Sequence, residues 1–241
     1  MKILALDSSG LVASVAIVEN DDLIAAYDIQ YKKTHSQTLL PMLDEIKKMI
    51  DLDVSTLDAV ALAAGPGSFT GLRIGSATAK GLGLALNIPI IEVPTLEGLA
   101  YNLYGARGYI CPIMDARRGQ VYTGIYEFAD KGLQEDGYKL ETVEQQCAVA
   151  MEEIIGKLNH FGHEVIFLGD GVPVFREKIA GAMKVPYHFA PAHMNRQRAA
   201  SVASLGYYYY KTGKYVDAKE HVPIYLRQSQ AEREREEREK K

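Results

Sequence analysis

The sequence is poor in cysteine, in excess positive charge and in long apolar runs. Its two cysteines, Cys111 and Cys147, are too few for a disulfide framework and too far apart for a metal knuckle, so we expect reduced thiols. The net charge of −4 excludes a bulk basic surface that holds nucleic acid unaided. No stretch approaches the roughly 20 apolar residues of a membrane span. The first apolar run stops at Asp7, too early for a signal peptide, and we therefore expect a cytoplasmic protein.

Familiar catalytic motifs are missing as well. The chain has no H-E-x-x-H box, no Walker lysine and no paired zinc motif. His160 and His163 lie in a polar linker without a further clustered ligand, so no metal site is predicted. The 241 residues, 47% of them apolar, are long for one globular domain and short for two full ones.

The first half of the chain predicts the element order βββαβαβα. Tight turns separate the first three strands, which indicates antiparallel neighbours. The first helix is predicted to begin at a capping box at Thr34 and to kink at Pro41. The predicted elements are strands Ile3–Leu6, Ala13–Val18 and Leu23–Ile29, the helix from Thr34, strand Asp58–Ala63, helix Thr70–Leu86, strand Ile88–Val93 and helix Thr95–Tyr104, capped by Thr95.

The second half repeats this order, and Asp7 and Asp115 each close the first strand of their half. Its predicted strands are Tyr109–Met114, Gln120–Phe128, Gly137–Leu140, Val165–Leu168 and Tyr187–Phe189, and its helices are Ala148–Leu158, Pro173–Ala182 and Arg196–Lys211. We predict a duplicated α/β fold with a cleft between two βββαβα-type lobes, the actin-like layout of the actin, Hsp70 and sugar-kinase superfamily. The lobes are predicted at 1–105 and 106–228, followed by a charged, solvated tail at 229–241.

Two polar turns are candidates for a phosphate or nucleotide site in that cleft. Asp7, Ser8 and Ser9 could face a phosphate or its Mg²⁺, although the same residues also suit a plain hairpin turn. The equivalent region of the second half offers Asp115, Arg117, Gly169 and Gly171, and exposed arginines in a turn can equally be merely solvated.

The segment Gly65–Gly71 joins a strand to a helix, where backbone amides can bind an anion. It is neither a Walker box, a dinucleotide fingerprint nor a nucleophile elbow. The helix that follows carries small residues every four positions, Gly71, Gly75, Ala79 and Gly83. Such a stripe permits close approach of another backbone, either within the chain or from a second protein. The four consecutive tyrosines Tyr207–Tyr210 place at least one ring outward, as an interface anchor or as plain surface.

The sequence closely resembles the bacterial TsaB (YeaZ) family over nearly its whole length. The residues that carry the resemblance are Ile3–Ser9, His35–Gln37, Gly65–Gly75, Pro94–Leu99, Asp115–Arg118 and Pro223–Arg227. The resemblance implies a non-catalytic subunit that binds and activates the larger relative TsaD, which modifies the adenosine beside the tRNA anticodon. It also implies recruitment of the TsaE ATPase, a homodimer when alone, tRNA contact only through the complex, and no cofactor of its own apart from ATP or ADP at the complex interface.

Two features of this chain bear on that implication. The catalytic relative carries a metal box reading His-Leu-Glu-Gly-His, whereas this chain has Thr95 and Leu99 where the histidines belong. The family's partner surface implies the first two helices as the interface. The positions expected there are Leu39, Leu43, Ile46, Gly71, Leu72, Gly75, Ala79 and Leu82.

Two other classes of function stay open at the level of sequence. An ATP-dependent small-molecule kinase or acyltransferase of the same fold would use Asp7 and Asp115 in the cleft. An independent homodimeric RNA-binding module would use Arg117 and Arg118, and the acidic balance of the chain disfavours it.

Overall fold

The computed structural model describes residues 1–31, 33–132 and 137–227. The tail predicted at 229–241 lies outside the described residues. Within them, the chain forms two five-stranded mixed sheets, one from each half. No helix in the described part is long and apolar enough to cross a membrane.

The first sheet has the strand order β3-β2-β1-β4-β5. Its strands are β1 (Lys2–Asp7), β2 (Val12–Glu19), β3 (Asp22–Gln30), β4 (Ala59–Gly65) and β5 (Ile90–Pro94). β1 is antiparallel to β2 because a tight turn links them, and it is parallel to β4, which is reached only after a helix. The continuous apolar runs of β1 and β4 fit strands that are covered on both faces.

The second sheet has the equivalent order β10-β9-β6-β7-β8. Its strands are β6 (Tyr109–Asp115), β7 (Gln120–Asp130), β8 (Tyr138–Ala150), β9 (Val165–Leu168) and β10 (Tyr187–Phe189). β6 pairs antiparallel with β7 and parallel with β9, as β1 does with β2 and β4. The matching orders confirm the predicted duplication.

Six helices cover the faces of the two sheets in the described residues. They are α1 (Leu39–Met49), α2 (Phe69–Leu86), α3 (Thr95–Ala100), α4 (Met151–Phe161), α5 (Val172–Ala182) and α6 (Ala199–Lys211). Apolar side chains of α1 and α2 pack on one face of the first sheet, and those of α4 and α5 pack on one face of the second. These contacts form two of the four hydrophobic clusters.

Each of the two remaining helices packs on the sheet formed by the other half of the chain. α6 comes from the second half but packs on the first sheet, with Ala199, Val202 and Ala203 against the opposite face from α1 and α2. The backbone N–H of Ala199 donates to Ser14 Oγ of β2 at 2.6 Å, which fixes the start of the helix. α3 belongs to the first half but packs on the second sheet through Leu96 and Leu99. Hydrophobic packing therefore crosses the point near residue 105 where the first half of the sequence ends.

Three local predictions about helix and strand ends are wrong. Residues Ala148–Ala150 end the 13-residue strand β8 instead of starting a helix, because they pair with β7. The first helix begins at Leu39 after a 3-10 turn, so Pro41 lies in its first turn, where no intrahelical N–H is needed and no kink follows. Thr95 does not cap α3; its hydroxyl instead accepts from the Gly65 N–H at 3.0 Å.

Candidate functional site

The turn that follows β1 is buried and internally bonded. Asp7 Oδ1 accepts from both the backbone N–H and the hydroxyl of Ser9, at 2.9 and 2.7 Å, and Ser8 Oγ donates to the Gly71 carbonyl at 2.9 Å. Burial is the main reason that the pKa of Asp7 is raised to about 6, with the carboxylates of Asp28 and Asp170 adding to the rise and the Ser9 hydrogen bonds opposing it. Asp7 Oδ1 and the Ser8 and Ser9 hydroxyls are thus hydrogen-bonded within the chain.

The Gly65–Gly71 segment, which leads into α2, packs closely against the β1–β2 turn. The Ser68 N–H donates to the Ser9 carbonyl at 2.7 Å, and Ser68 Oγ caps the helix by accepting from the Gly71 N–H at 3.3 Å. A Cβ at Gly67 would overlap the Ser9 carbonyl oxygen, and a Cβ at Gly71 would overlap that of Ser8. The glycines thus let the helix start lie directly against the β1–β2 turn.

The small-residue stripe therefore faces inward, which corrects the predicted partner interface. Gly75 packs against Ser8, and Gly83 packs against Ala218 and Ile88. The predicted interface positions that are buried inside the chain are Leu39, Leu43, Ile46, Gly71, Leu72, Gly75 and Ala79, and Leu82 is half-buried against the same core. Their side chains build the core between the helices and the first sheet and do not face a partner.

The outer faces of α1 and α2 carry the exposed residues of this layer. On α2 these are Thr70, Arg73, Ala77, Gly81, Leu84 and Ala85, and a Cβ added at Gly81 meets nothing within 4 Å. On α1, the apolar side chains of Leu40 and Met49 are exposed, Met49 to 82%, beside the exposed charged residues Asp44, Glu45, Lys47 and Lys48. This helical face is defined here as the outer α1/α2 face.

A cleft of about 610 Å³ separates the two halves next to the β1–β2 turn. Asp115, Arg117, Asp170 and Ser9 are among its lining residues. Asp115 pairs with Arg117 at 3.2 Å, and the Asp115 N–H donates to Asp170 Oδ1 at 3.3 Å. Burial raises the pKa of Asp170. Asp170 was missed as a site residue, although it stands between two glycines that the sequence singled out.

The candidate cleft residues are thus only partly brought together. Ser9, Asp115 and Arg117 line the cleft, whereas Asp7 is not among its lining residues and accepts from Ser9 through Oδ1. Gly169 is held against the Ile113 carbonyl at the end of β6, and the Gly171 N–H donates to the same carbonyl at 3.0 Å.

Thr95 and Leu99 of α3 are both buried. Each is 1% exposed, and Leu99 packs with Leu96 and Leu168 in one hydrophobic cluster. The described residues contain no group of three or more His, Cys, Asp or Glu side chains that could hold a metal ion.

A Ser-His-Glu chain joins α2 to the segment after α6, and no local sequence motif marks it. His221 Nε2 lies 2.7 Å from Ser76 Oγ, and His221 Nδ1 lies 2.6 Å from Glu92 Oε1. The order of groups resembles a hydrolytic triad, but Ser76 is buried in mid-helix. Lys80 Nζ also donates to the Lys219 and His221 carbonyls, at 3.0 Å each. These contacts anchor the C-terminal segment to α2.

We expect His221→Ala to lower the free energy of unfolding by about 2 kcal/mol. The change leaves a cavity and removes the partner of the buried Ser76 hydroxyl. Urea unfolding measures the loss. His188→Ala is the matched control, because His188 is an exposed histidine paired with Glu164, and it should cost less than about 0.5 kcal/mol. Equal losses in the two variants would contradict an anchoring role.

Comparisons with known proteins agree with this architecture. The family model of TsaD, tRNA N6-adenosine threonylcarbamoyltransferase, matches residues 28–235. The tRNA threonylcarbamoyladenosine biosynthesis protein TsaB of Bacillus subtilis is 35% identical over 232 residues, 96% of each chain.

Two solved structures are similar to this chain over nearly its whole length. The structure of YeaZ from Pseudomonas aeruginosa is similar with a TM-score of 0.75 and 27% identity, covering 93% of this chain and 99% of that one. A further structure from Pseudomonas aeruginosa, of a protein with similarity to peptidase YeaZ, has a TM-score of 0.76 and the same identity, over 94% of this chain and 99% of that one.

Proposed function

We propose that this chain, which belongs to the TsaB (YeaZ) family, is a non-catalytic subunit for threonylcarbamoylation of the adenosine beside the tRNA anticodon. In this proposal it binds and activates a TsaD-type catalytic subunit and helps to recruit a TsaE-type ATPase. It has no cofactor of its own, and ATP or ADP would bind at the interface of the complex. Contact with tRNA comes through the complex, since the chain carries a net charge of −4.

The observation that carries the proposal is the outer α1/α2 face. Ala77, Gly81 and Ala85 follow one another at helical spacing and are all exposed. They leave the backbone of α2 open to close approach, and the exposed apolar side chains of Leu40, Met49 and Leu84 accompany them. Small residues between apolar ones favour packing of another helix. A second copy of the chain would use the same face, so a homodimer and the catalytic complex would compete for it.

The internal bonding of the β1–β2 turn supports an accessory role. Asp7 Oδ1 accepts from Ser9, and Ser8 and Ser9 bond to the start of α2, so the turn is a rigid support for the partner-binding helix. A subunit without chemistry of its own can still activate another one by binding its competent conformation more tightly than the inactive one.

The proposal is tested by Gly81→Arg, which places a large charged side chain on the outer α1/α2 face. We expect the affinity for the TsaD-type subunit of the same organism to fall at least tenfold, measured by calorimetry and by the size of the complex. Folding should be unaffected, because space around Gly81 is open and glycine is a poor helix former.

The matched control is Gly156→Arg on α4, because Gly156 is likewise an exposed helical glycine with nothing within 4 Å of an added Cβ. It should bind the partner as the wild type does. Unchanged binding by Gly81→Arg would refute this surface, and a wild-type chain that neither binds the partner nor supports tRNA modification would refute the function.

A further inference from the structure

A second cavity, of about 590 Å³, lies on another side of the molecule between α3, α6 and the start of β8. Its volume is that of a small-molecule site. Tyrosine rings and lysine ammonium groups dominate its lining, and three of the four consecutive tyrosines singled out in the sequence, Tyr207, Tyr208 and Tyr209, belong to it. We refer to it as the Tyr/Lys pocket. Nothing in the proposed partner binding uses it.

The aromatic and cationic groups of the Tyr/Lys pocket are paired with each other. Lys211 Nζ lies 4.4 Å from the centre of the Tyr207 ring, and Lys214 Nζ lies 4.7 Å from that of Tyr209. Neither lysine forms an ion pair with a carboxylate among residues 1–31, 33–132 and 137–227. The positive charge of each lysine thus lies over a ring face, which is a weak partner that an anion can replace, and Lys214 also attracts the Glu97 carboxyl.

The charge of the pocket is opposite to that of the whole chain. Four lysines line it, Lys131, Lys139, Lys211 and Lys214, against two acidic residues, Asp21 and Glu97. Glu97 is bonded to the Tyr209 hydroxyl at the base of the pocket, and burial raises its pKa. Lys139 pairs with Glu141 at 3.4 Å, an exposed contact that water screens. Among the described lining residues, lysines therefore outnumber carboxylates on a chain of net charge −4.

We propose that the Tyr/Lys pocket binds a nucleotide unit, with its base stacked on tyrosine and its phosphate at the ammonium groups of Lys211 and Lys214. A phosphate draws each ammonium away from the ring that it covers, and the freed ring face can then stack with the base. Aromatic rings beside lysines are the elements with which proteins hold unpaired nucleotides irrespective of sequence. The nucleotide is either free or an unpaired residue of an RNA strand.

The test measures binding by the full chain alone. Calorimetry with AMP detects a free nucleotide, and fluorescence anisotropy of a labelled six-residue single-stranded RNA detects a strand. We expect Lys211→Gln combined with Lys214→Gln to weaken the binding at least tenfold. Tyr207→Leu removes the ring that Lys211 covers and should weaken the binding without a change in charge. Binding of AMP by the wild type supports the free nucleotide, and binding of the RNA alone supports the strand.

The matched control combines Lys178→Gln and Lys184→Gln, two exposed lysines of the second half. Equal weakening by this control would indicate general electrostatics and overturn the proposal, as would the absence of any binding at millimolar AMP and RNA. Binding lost in Arg117→Gln but kept in the pocket variants would place the nucleotide in the cleft and also overturn it. Because none of these variants alters the outer α1/α2 face, failure here leaves the proposed partner binding to its own test.

Discussion

Gly71→Ala should lower the free energy of unfolding by about 3 kcal/mol or more, even though it adds a single methyl group to a helix. The added Cβ would overlap the Ser8 carbonyl oxygen, which is backbone and cannot swing away. The start of α2 must then withdraw from the β1–β2 turn. That movement breaks the bond from Ser8 Oγ to the Gly71 carbonyl and the bond from the Ser68 N–H to Ser9.

The control for this prediction lies on the same helix. Gly81→Ala should stabilise the protein by up to about 1 kcal/mol, because the site is open and alanine is the better helix former. Urea unfolding of both variants, read by circular dichroism, makes the comparison. If Gly71→Ala were as stable as Gly81→Ala, the small-residue stripe would not be packed against the turn, and its role as an outward interface would have to be reconsidered.

The second large effect concerns Asp7 and pH. The pKa of Asp7 is raised from 3.8 to about 6 in the folded protein, chiefly by burial. Between these two values the folded chain holds a proton that the unfolded chain has lost, so stability falls as pH rises. The contribution of the protonated carboxyl is complete below about pH 4 and is lost through pH 6, a difference on the order of 3 kcal/mol.

Asp7→Asn should remove this dependence, because the amide oxygen can still accept both bonds from Ser9 and carries no proton in this range. Urea unfolding should be measured at intervals from pH 4 to 7.5. Over this range the free energy of unfolding of the variant should rise relative to that of the wild type by about 3 kcal/mol. The control is Asp22→Asn, which removes an exposed carboxylate at the start of β3. It should leave the dependence of the free energy of unfolding on pH as it is in the wild type. A constant difference between Asp7→Asn and the wild type would show that Asp7 ionises as readily when folded as when unfolded.

Both effects concern the same few atoms, where β1 ends and α2 begins. In a nucleotide-binding protein, a turn of this composition would keep its hydroxyl and carboxyl groups available to phosphate. Here they bond to each other and to the glycine-rich start of α2. The turn thereby fixes the position of α2, whose opposite side is the proposed partner surface.

The sequence by itself determined the architecture, because apolar periodicity and turn residues are local signals. Continuous runs such as Ile3–Leu6 and helical spacing such as that of Leu39, Leu43 and Ile46 predicted elements that the structure contains. The repeated order of elements was enough to predict two equivalent sheets. The predictions failed at the ends of helices and strands. At Ala148–Ala150, for example, pairing with β7 outweighs the local preference for helix.

Only the tertiary structure decided which neighbour each of these sequence patterns contacts. A stripe of small residues permits close packing but does not state the neighbour, and the neighbour proved to be the chain's own β1–β2 turn. The contact of His221 with Ser76 and Glu92, and the gathering of Tyr207–Tyr209 with Lys211 and Lys214 opposite β8, likewise depend on how α6 crosses to the first sheet. The His221 contacts join residues far apart in the chain, and local propensity carries no information about them because they form only when the packing of distant elements excludes water. Tyr207 and Lys211, by contrast, are neighbours on one helix, and the tertiary structure decides only which other elements face them.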